Sequence, residues 1–174
     1  GSAVIFSCGT TTGTLCQLGI TPDFHIEMER TASTHQEICN GTTAAFRKNI
    51  RMLALNTVSP KSMRLFKDAY MAKKMNDPGE TLTDTVFNLP LPPLNLCNPT
   101  CTNAGLAFAL RFGFKEVYLF GVDLGVTEDG KHHSSASLYY SDDEQKRIEI
   151  PSSQQALPIT VKGNFGGDVK TTPI

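Results

Sequence analysis

The run Phe114-Lys-Glu-Val-Tyr-Leu-Phe-Gly-Val-Asp-Leu-Gly125 constrains the fold more than any other part of the sequence. Val117, Tyr118, Leu119, Phe120 and Val122 are β-branched, aromatic or aliphatic and predict a buried strand, with Gly121 and Asp123 marking its end. Ahead of it, the small residues of 104–112 predict a helix that Gly113 stops. A helix feeding a buried strand is the repeating unit of a parallel sheet. Lys131-His-His-Ser134 follows shortly after. Open α/β sheets bind ligands at the carboxyl ends of their strands, so an acid and two imidazoles delivered there read as an active-site rim.

The upstream sequence keeps the same alternation. Residues 4–8, 24–29 and 50–58 predict strands. Thr10, Thr11 and Thr12 offer capping hydroxyls to a short helix ended by Gly19, and residues 34–48 are weakly helical around Gly41. Ser59-Pro60 predicts a helix start, and Met63, Phe66, Tyr70, Met71 and Lys74 continue at helical spacing to Asp77-Pro78-Gly79. Residues 81–95, ending in a Leu-Pro-Leu-Pro-Pro stretch, predict a surface excursion. Farther on, Glu128-Asp-Gly130 predicts a turn, residues 134–143 a polar loop, residues 148–150 an edge strand, and Gly163-Asn-Phe-Gly-Gly167 a glycine-rich turn. Residues 1–174 thus read as one α/β domain with a Rossmann-like, mostly parallel sheet and helices on both faces.

Composition narrows the function. With 40% hydrophobic and 19% charged residues the chain belongs with globular proteins, and a net charge of −1 gives no general attraction to nucleic acid or anionic membranes. No apolar run approaches a membrane span. The five cysteines, odd in number and unlike in context, read as reduced thiols of a cytoplasmic protein. Cys97-Asn-Pro-Thr-Cys101 lacks zinc-site spacing, so no metal site is expected.

Four constellations could carry chemistry. Cys8-Gly9-Thr10-Thr11 is a strand-to-helix turn whose amides and hydroxyls suit a phosphate or ribose, or merely cap a helix. Thr102, Asn103 and Ala104, with Asn98 to Cys101 before them, place amides and hydroxyls at a helix start, where the dipole favours phosphate but where self-capping is the simpler reading. Asp123 with His132, His133 and Ser134 forms the third group, imidazole being the usual general base near neutral pH. Glu27-Met-Glu-Arg30 is the fourth: its acids could hold Mg²⁺ or a ligand hydroxyl, or lie idle at the surface. Tyr139 and Tyr140 could donate phenol hydroxyls to a leaving phosphate, or anchor their loop by partial burial.

Taken together, Ile20-Thr-Pro-Asp-Phe-His-Ile-Glu-Met-Glu-Arg30, Asn98-Pro-Thr-Cys-Thr-Asn-Ala104, the run 113–124, Lys131-His-His-Ser134 and the glycine-rich turn resemble the central domain of bacterial motility accessory factors. The broader family includes 6-hydroxymethylpterin diphosphokinases, and residues 102–123 more distantly resemble sialyltransferases that use CMP-activated sugars. The resemblance implies a sialyltransferase-type core that moves a nonulosonic acid from a CMP-sugar to a flagellin serine or threonine, with no further cofactor. It implies nucleotide contacts from Thr102, Asn103 and Ala104, with Asp123 beside the nucleotide or supporting that loop, a base at His132 or His133, and phosphate contacts from Tyr139 and Tyr140; Gly9 and Thr10 are nucleotide-contact candidates from their own chemistry. The family carries an upstream strand and a Gly-x-Gly-Pro-Ser-Leu-like turn that this sequence lacks, so a fragment of a longer protein is expected. Two other functions fit the family: diphosphoryl transfer from ATP with Mg²⁺, and non-catalytic docking of flagellin.

Overall fold

The computed structural model describes residues 3–122, 124–126, 131–149, 159–163 and 166–171. The chain divides into two compact units, Gly1–Tyr118 and Leu119–Ile174.

The first unit is built on five parallel strands: β1 (Phe6–Cys8), β2 (Phe24–Glu27), β3 (Arg51–Leu55), β4 (Asp68–Lys74) and the two-residue β5 (Pro93–Leu94). They lie side by side in chain order, with Ile26 opposite Cys8 on one side and Leu53 on the other. Six α-helices connect and follow them, α1 (Thr11–Gln17), α2 (Ser33–Gly41), α3 (Ala44–Arg47), α4 (Pro60–Met63), α5 (Pro78–Thr81) and α6 (Cys101–Arg111), and a π-helical segment, Leu82–Val86, follows α5. The central strand β3 shows why helices must cover both faces. Leu53 and Leu55 pack with Ile26, Ala72, Ala104 and Phe108, whereas Met52 and Ala54 pack with Ile38, Val58 and Phe66. Side chains alternate along a strand, so one continuous apolar run needs two cores.

Local chemistry sets the helix ends. Ser59 accepts a hydrogen bond from the Lys61 amide and Pro60 opens α4. At α6, Thr100 Oγ1 accepts from the Asn103 amide while Asn103 Oδ1 accepts from the Thr100 amide, each at 3.3 Å, a reciprocal capping box. After β5 the chain returns across the sheet, so that α6 packs on β1 and β2. Gly105 lets it sit close: a Cβ there would lie 2.8 Å from Cys8 Sγ.

Three expectations are corrected. The helix predicted to run from Ser59 past Tyr70 ends at Met63, and residues 68–74 form β4 instead. Ala72 is buried between more exposed neighbours there, and Leu53 and Leu55 pair with Tyr70 and Ala72. The helical spacing of Met63, Phe66, Tyr70 and Lys74 carries less free energy than a full ladder beside β3. The strongly predicted strand at 117–122 has no strand partner among the described residues, and Tyr118 and Phe120 are 77% and 88% exposed. β-propensity states what a residue tolerates, whereas a strand also needs a neighbour for its N–H and C=O groups. Ile148 and Glu149 form no edge strand; the Ile148 amide instead donates to the Leu138 carbonyl. Ile150 and the turn expected at 128–130 lie outside the described residues.

The second unit contains an antiparallel hairpin that residue patterning does not reveal, β6 (Ile159–Lys162) with β7 (Asp168–Thr171). Within the expected glycine-rich turn, the Gly163 amide donates to the Gly167 carbonyl, and Gly166 and Gly167 take φ of +91° and +75°, whereas residues 164 and 165 lie outside the described residues. Val126 forms a further antiparallel bridge to Lys170. A 3₁₀ turn, Leu138–Tyr140, lies within the predicted polar loop.

The tight seating of α6 gives a direct test. Gly105→Ala should destabilise the fold by about 1–3 kcal/mol by overpacking against Cys8. The pair Gly105→Ala/Cys8→Ala should recover most of that loss, read as urea midpoints.

Candidate functional site

The carboxyl ends of the parallel strands gather one set of the sequence-predicted residues. Gly9 ends β1 with φ of +54°, a left-handed turn that glycine adopts without strain. Its amide donates to the Ile26 carbonyl at 3.1 Å, which ties the turn to β2. A Cβ on Gly9 would stand 3.7 Å from Cys101 Sγ, so this turn faces the first turn of α6. The structure therefore brings Gly9 and Thr10 beside the helix start that carries Thr102, Asn103 and Ala104. Thr10 precedes α1 without a side-chain capping bond, and Asn103 is engaged in the capping box. Thr102 is half-buried, and Ala104 is fully buried in the core below.

The acids at the end of β2 separate in role. Glu29 and Arg30 are exposed, with Arg30 paired to Asp77. Glu27 is only 3% exposed, and its Oε1 accepts from the Met28 and Glu29 amides at 2.8 and 2.9 Å. Cys101 Sγ donates to the same oxygen at 3.6 Å. Burial pushes the Glu27 carboxyl above its usual range, with the amide bonds opposing. Behind it, His25 is fully buried, stacked on Phe66 at 5.0 Å, with Nδ1 3.2 Å from Ser7 Oγ. Burial drives its pKa down to about 3, the Ser7 contact opposing. His25 Nε2 lies 3.8 Å from Glu27 Oε2. At neutral pH this is a contact of an uncharged imidazole, not an ion pair, because burial disfavours both charges. Burial, then the Glu27 charge, raise Cys8 to about 12 and push Cys101 up further, which favours the protonated thiol at both.

Sequence reasoning singled out Glu27 but missed His25, Ser7 and the Cys101 contact. The alternation Phe24-His-Ile-Glu27 does place His25 and Glu27 on one face of β2. Nothing in the sequence signals that Cys101 approaches Glu27, since they are 74 residues apart. Asn56 was also missed; its Oδ1 accepts from the Lys74 amide and its Nδ2 donates to Thr83 Oγ1, bracing the ends of β3 and β4.

A second set meets in the second unit. His132 and His133 contact each other through their Nδ1 atoms. His133 stacks on Tyr139 with ring centres 4.2 Å apart, and His132 meets Tyr139 edge-on at 5.1 Å. The His132 amide donates to the Tyr140 hydroxyl oxygen at 2.8 Å, and the His133 amide does so at 3.4 Å. Partial burial and the neighbouring His132 lower His133 to about 4, which keeps its imidazole neutral at physiological pH. All four predicted residues of this loop thus converge. Asp123 lies outside the described residues. Among the described residues no three His, Cys, Asp or Glu side chains converge as metal ligands, and no helix is long and apolar enough to cross a membrane. A groove of about 350 Å³ lies elsewhere, with Phe24 and Arg51 at the amino ends of β2 and β3 among its lining residues.

Comparison with known proteins agrees with this architecture. The chain matches the family described as 6-hydroxymethylpterin diphosphokinase MptE-like over residues 1–129. Among solved structures it is similar to the MAf glycosyltransferase from Magnetospirillum magneticum AMB-1, with a TM-score of 0.65 and 28% identity. That likeness covers 99% of this chain and 24% of the other, so the chain spans about a quarter of the length of that protein. No curated protein matches.

The buried His25 makes stability depend on acid. The unfolded imidazole binds a proton near pH 6.5, the folded one only near 3, so stability should fall as pH drops through that window. Glu27 acts oppositely: its raised folded pKa contributes stability below about pH 4.5 that is lost as pH rises through the folded value. His25→Phe, which keeps the stack on Phe66, should flatten the dependence of the urea midpoint between pH 6.5 and 4. An unchanged slope would refute the assignment.

Proposed function

We propose a glycosyltransferase function for this chain, which belongs to the 6-hydroxymethylpterin diphosphokinase MptE-like family. The observation that carries it is the likeness, over 99% of the chain, to a MAf glycosyltransferase. The donor is a CMP-linked nonulosonic acid and the acceptor a flagellin serine or threonine hydroxyl. In this reading Gly9, Thr10, Thr102 and Asn103 contact the nucleotide, and Asp123 is a further nucleotide contact. An unprotonated imidazole, His132 or His133, takes the acceptor proton. The acceptor oxygen then bonds to the anomeric carbon on the face opposite the CMP oxygen. The bond from that carbon to the CMP oxygen breaks with its electron pair, so CMP departs as the anion and the anomeric centre inverts. Tyr139 and Tyr140 donate hydrogen bonds to the departing phosphate. The close packing of these four rings supports the division of roles, since a base and its phosphate donors must share one locale. No metal or further cofactor takes part, and the reaction belongs to the cytoplasm.

The family description supports a second reading, in which a pterin alcohol attacks the β-phosphorus of ATP and AMP leaves. Mg²⁺ would there be held by acids such as Asp123, Glu27 or Glu29. Glu27 is already occupied by two amides and a thiol, which favours the sugar transferase.

In the complete natural protein, replacing the catalytic histidine by alanine should lower transfer of nonulosonate to flagellin by about a hundred- to ten-thousand-fold. His132→Ala and His133→Ala are compared by mass spectrometry of flagellin. Normal glycosylation in both removes the histidines from the mechanism. Calorimetry with CMP, and with ATP–Mg²⁺ plus a pterin, separates the two reactions: binding of the second set alone reverses their order.

A further inference from the structure

We propose that Glu27 is a positioning residue that fastens the first turn of α6 to the end of β2 and thereby holds Thr102 and Asn103 at the nucleotide side of the site. The inference rests on the transferase reading for its ligand, and on the geometry of one carboxyl group for its physics. A single oxygen, Oε1, receives the Met28 amide, the Glu29 amide and the Cys101 thiol. Two of these donors bend the chain as it leaves β2. The third belongs to α6, on the far side of the returning crossover. Glu27 is therefore the polar joint between the strand that ends at the site and the helix that begins there.

The joint is enclosed from every element around it. Cys8 approaches from β1, Cys101 from α6, Glu29 from the segment after β2 and His25 from β2 itself. His25 Nε2, buried and without a hydrogen-bond partner, stands 3.8 Å from Oε2. The packing is tight at Gly105, where an added Cβ would stand 2.8 Å from Cys8 Sγ, whereas one at Gly9 would meet Cys101 Sγ in ordinary contact at 3.7 Å. A buried acceptor serving three donors across two elements is costly to remove, because each donor loses its partner. A carboxyl and a carboxamide are nearly isosteric, so glutamine preserves Oε1 as the acceptor. Its amide group faces His25 Nε2, which can accept.

The test compares Glu27→Gln with Glu27→Ala in the complete natural protein. CMP binding by calorimetry and amide hydrogen exchange at residues 101–103 are the readouts. Glutamine should keep CMP affinity within about twofold and leave exchange unchanged. Alanine should weaken CMP binding tenfold or more and speed exchange at the start of α6, with the protein still folded by its melting curve. Alanine that binds CMP like the parent, or glutamine as damaged as alanine, overturns the proposal. Should Glu27→Ala not fold, Cys101→Ala removes only the α6 side of the joint. It should speed exchange at Thr102 and Asn103 and weaken CMP several-fold, and no change in either overturns the proposal. A parent chain that does not bind CMP sinks the transferase reading, and the exchange comparison then decides the joint alone.

Discussion

The seating of α6 across the ends of β1 and β2 is the constraint on which the rest of the first unit depends. Five strands laid side by side in chain order carry the polypeptide steadily to one edge, at β5. Only the return through α6 brings the end of that path back to its beginning. The return is possible because Gly105 presents no side chain to Cys8 and because Ala104, Ala107 and Phe108 fill the space above Ile26 and Leu53. Small residues here exchange side-chain burial for backbone proximity, and proximity is what a site made of two helix starts and a strand end requires.

Polar groups buried under that contact have little freedom. His25, Ser7 and Glu27 lie at or below 3% exposure, where an unpaired charge would cost more than any one contact returns. Burial pushes each ionisable group there toward its uncharged form: the imidazole loses its proton, the Glu27 carboxyl is shifted upward and the thiols retain theirs. Exposed residues such as Glu29 and Arg30 lie outside that burial. The histidine–tyrosine cluster of the second unit works on different terms. It is half-exposed, and stacking and backbone hydrogen bonds to one phenol oxygen fix its rings.

Much of the first unit was legible as local chemistry. Ser59-Pro60, Thr100 to Asn103 and Gly113 behave as a helix start, a capping box and a stop because each acts on neighbours within a few residues. The misreading of residues 68–74 as helix has the opposite origin. Tyr70 and Lys74 fit a helical face in isolation, and the strand appears only when β3 offers its open edge. The run at 117–122 fails for the same reason: its β-forming residues meet no partner among the described residues. Candidate residue types were legible, Gly9, Glu27, Thr102 and Asn103 in the first unit and the histidines with their tyrosines in the second, but not the contacts each one makes.

By itself the sequence determined the class of fold, the helix caps, the glycine turns and the residues able to do chemistry, because these follow from backbone sterics and hydrogen bonding over a few positions. Only the tertiary structure decided which apolar segments became strands, that Cys101 meets Glu27 across 74 residues, and that His25 is sealed and neutral. Those outcomes depend on what lies beside a residue in space, and neither a partner's edge nor a local dielectric is written in the order of amino acids.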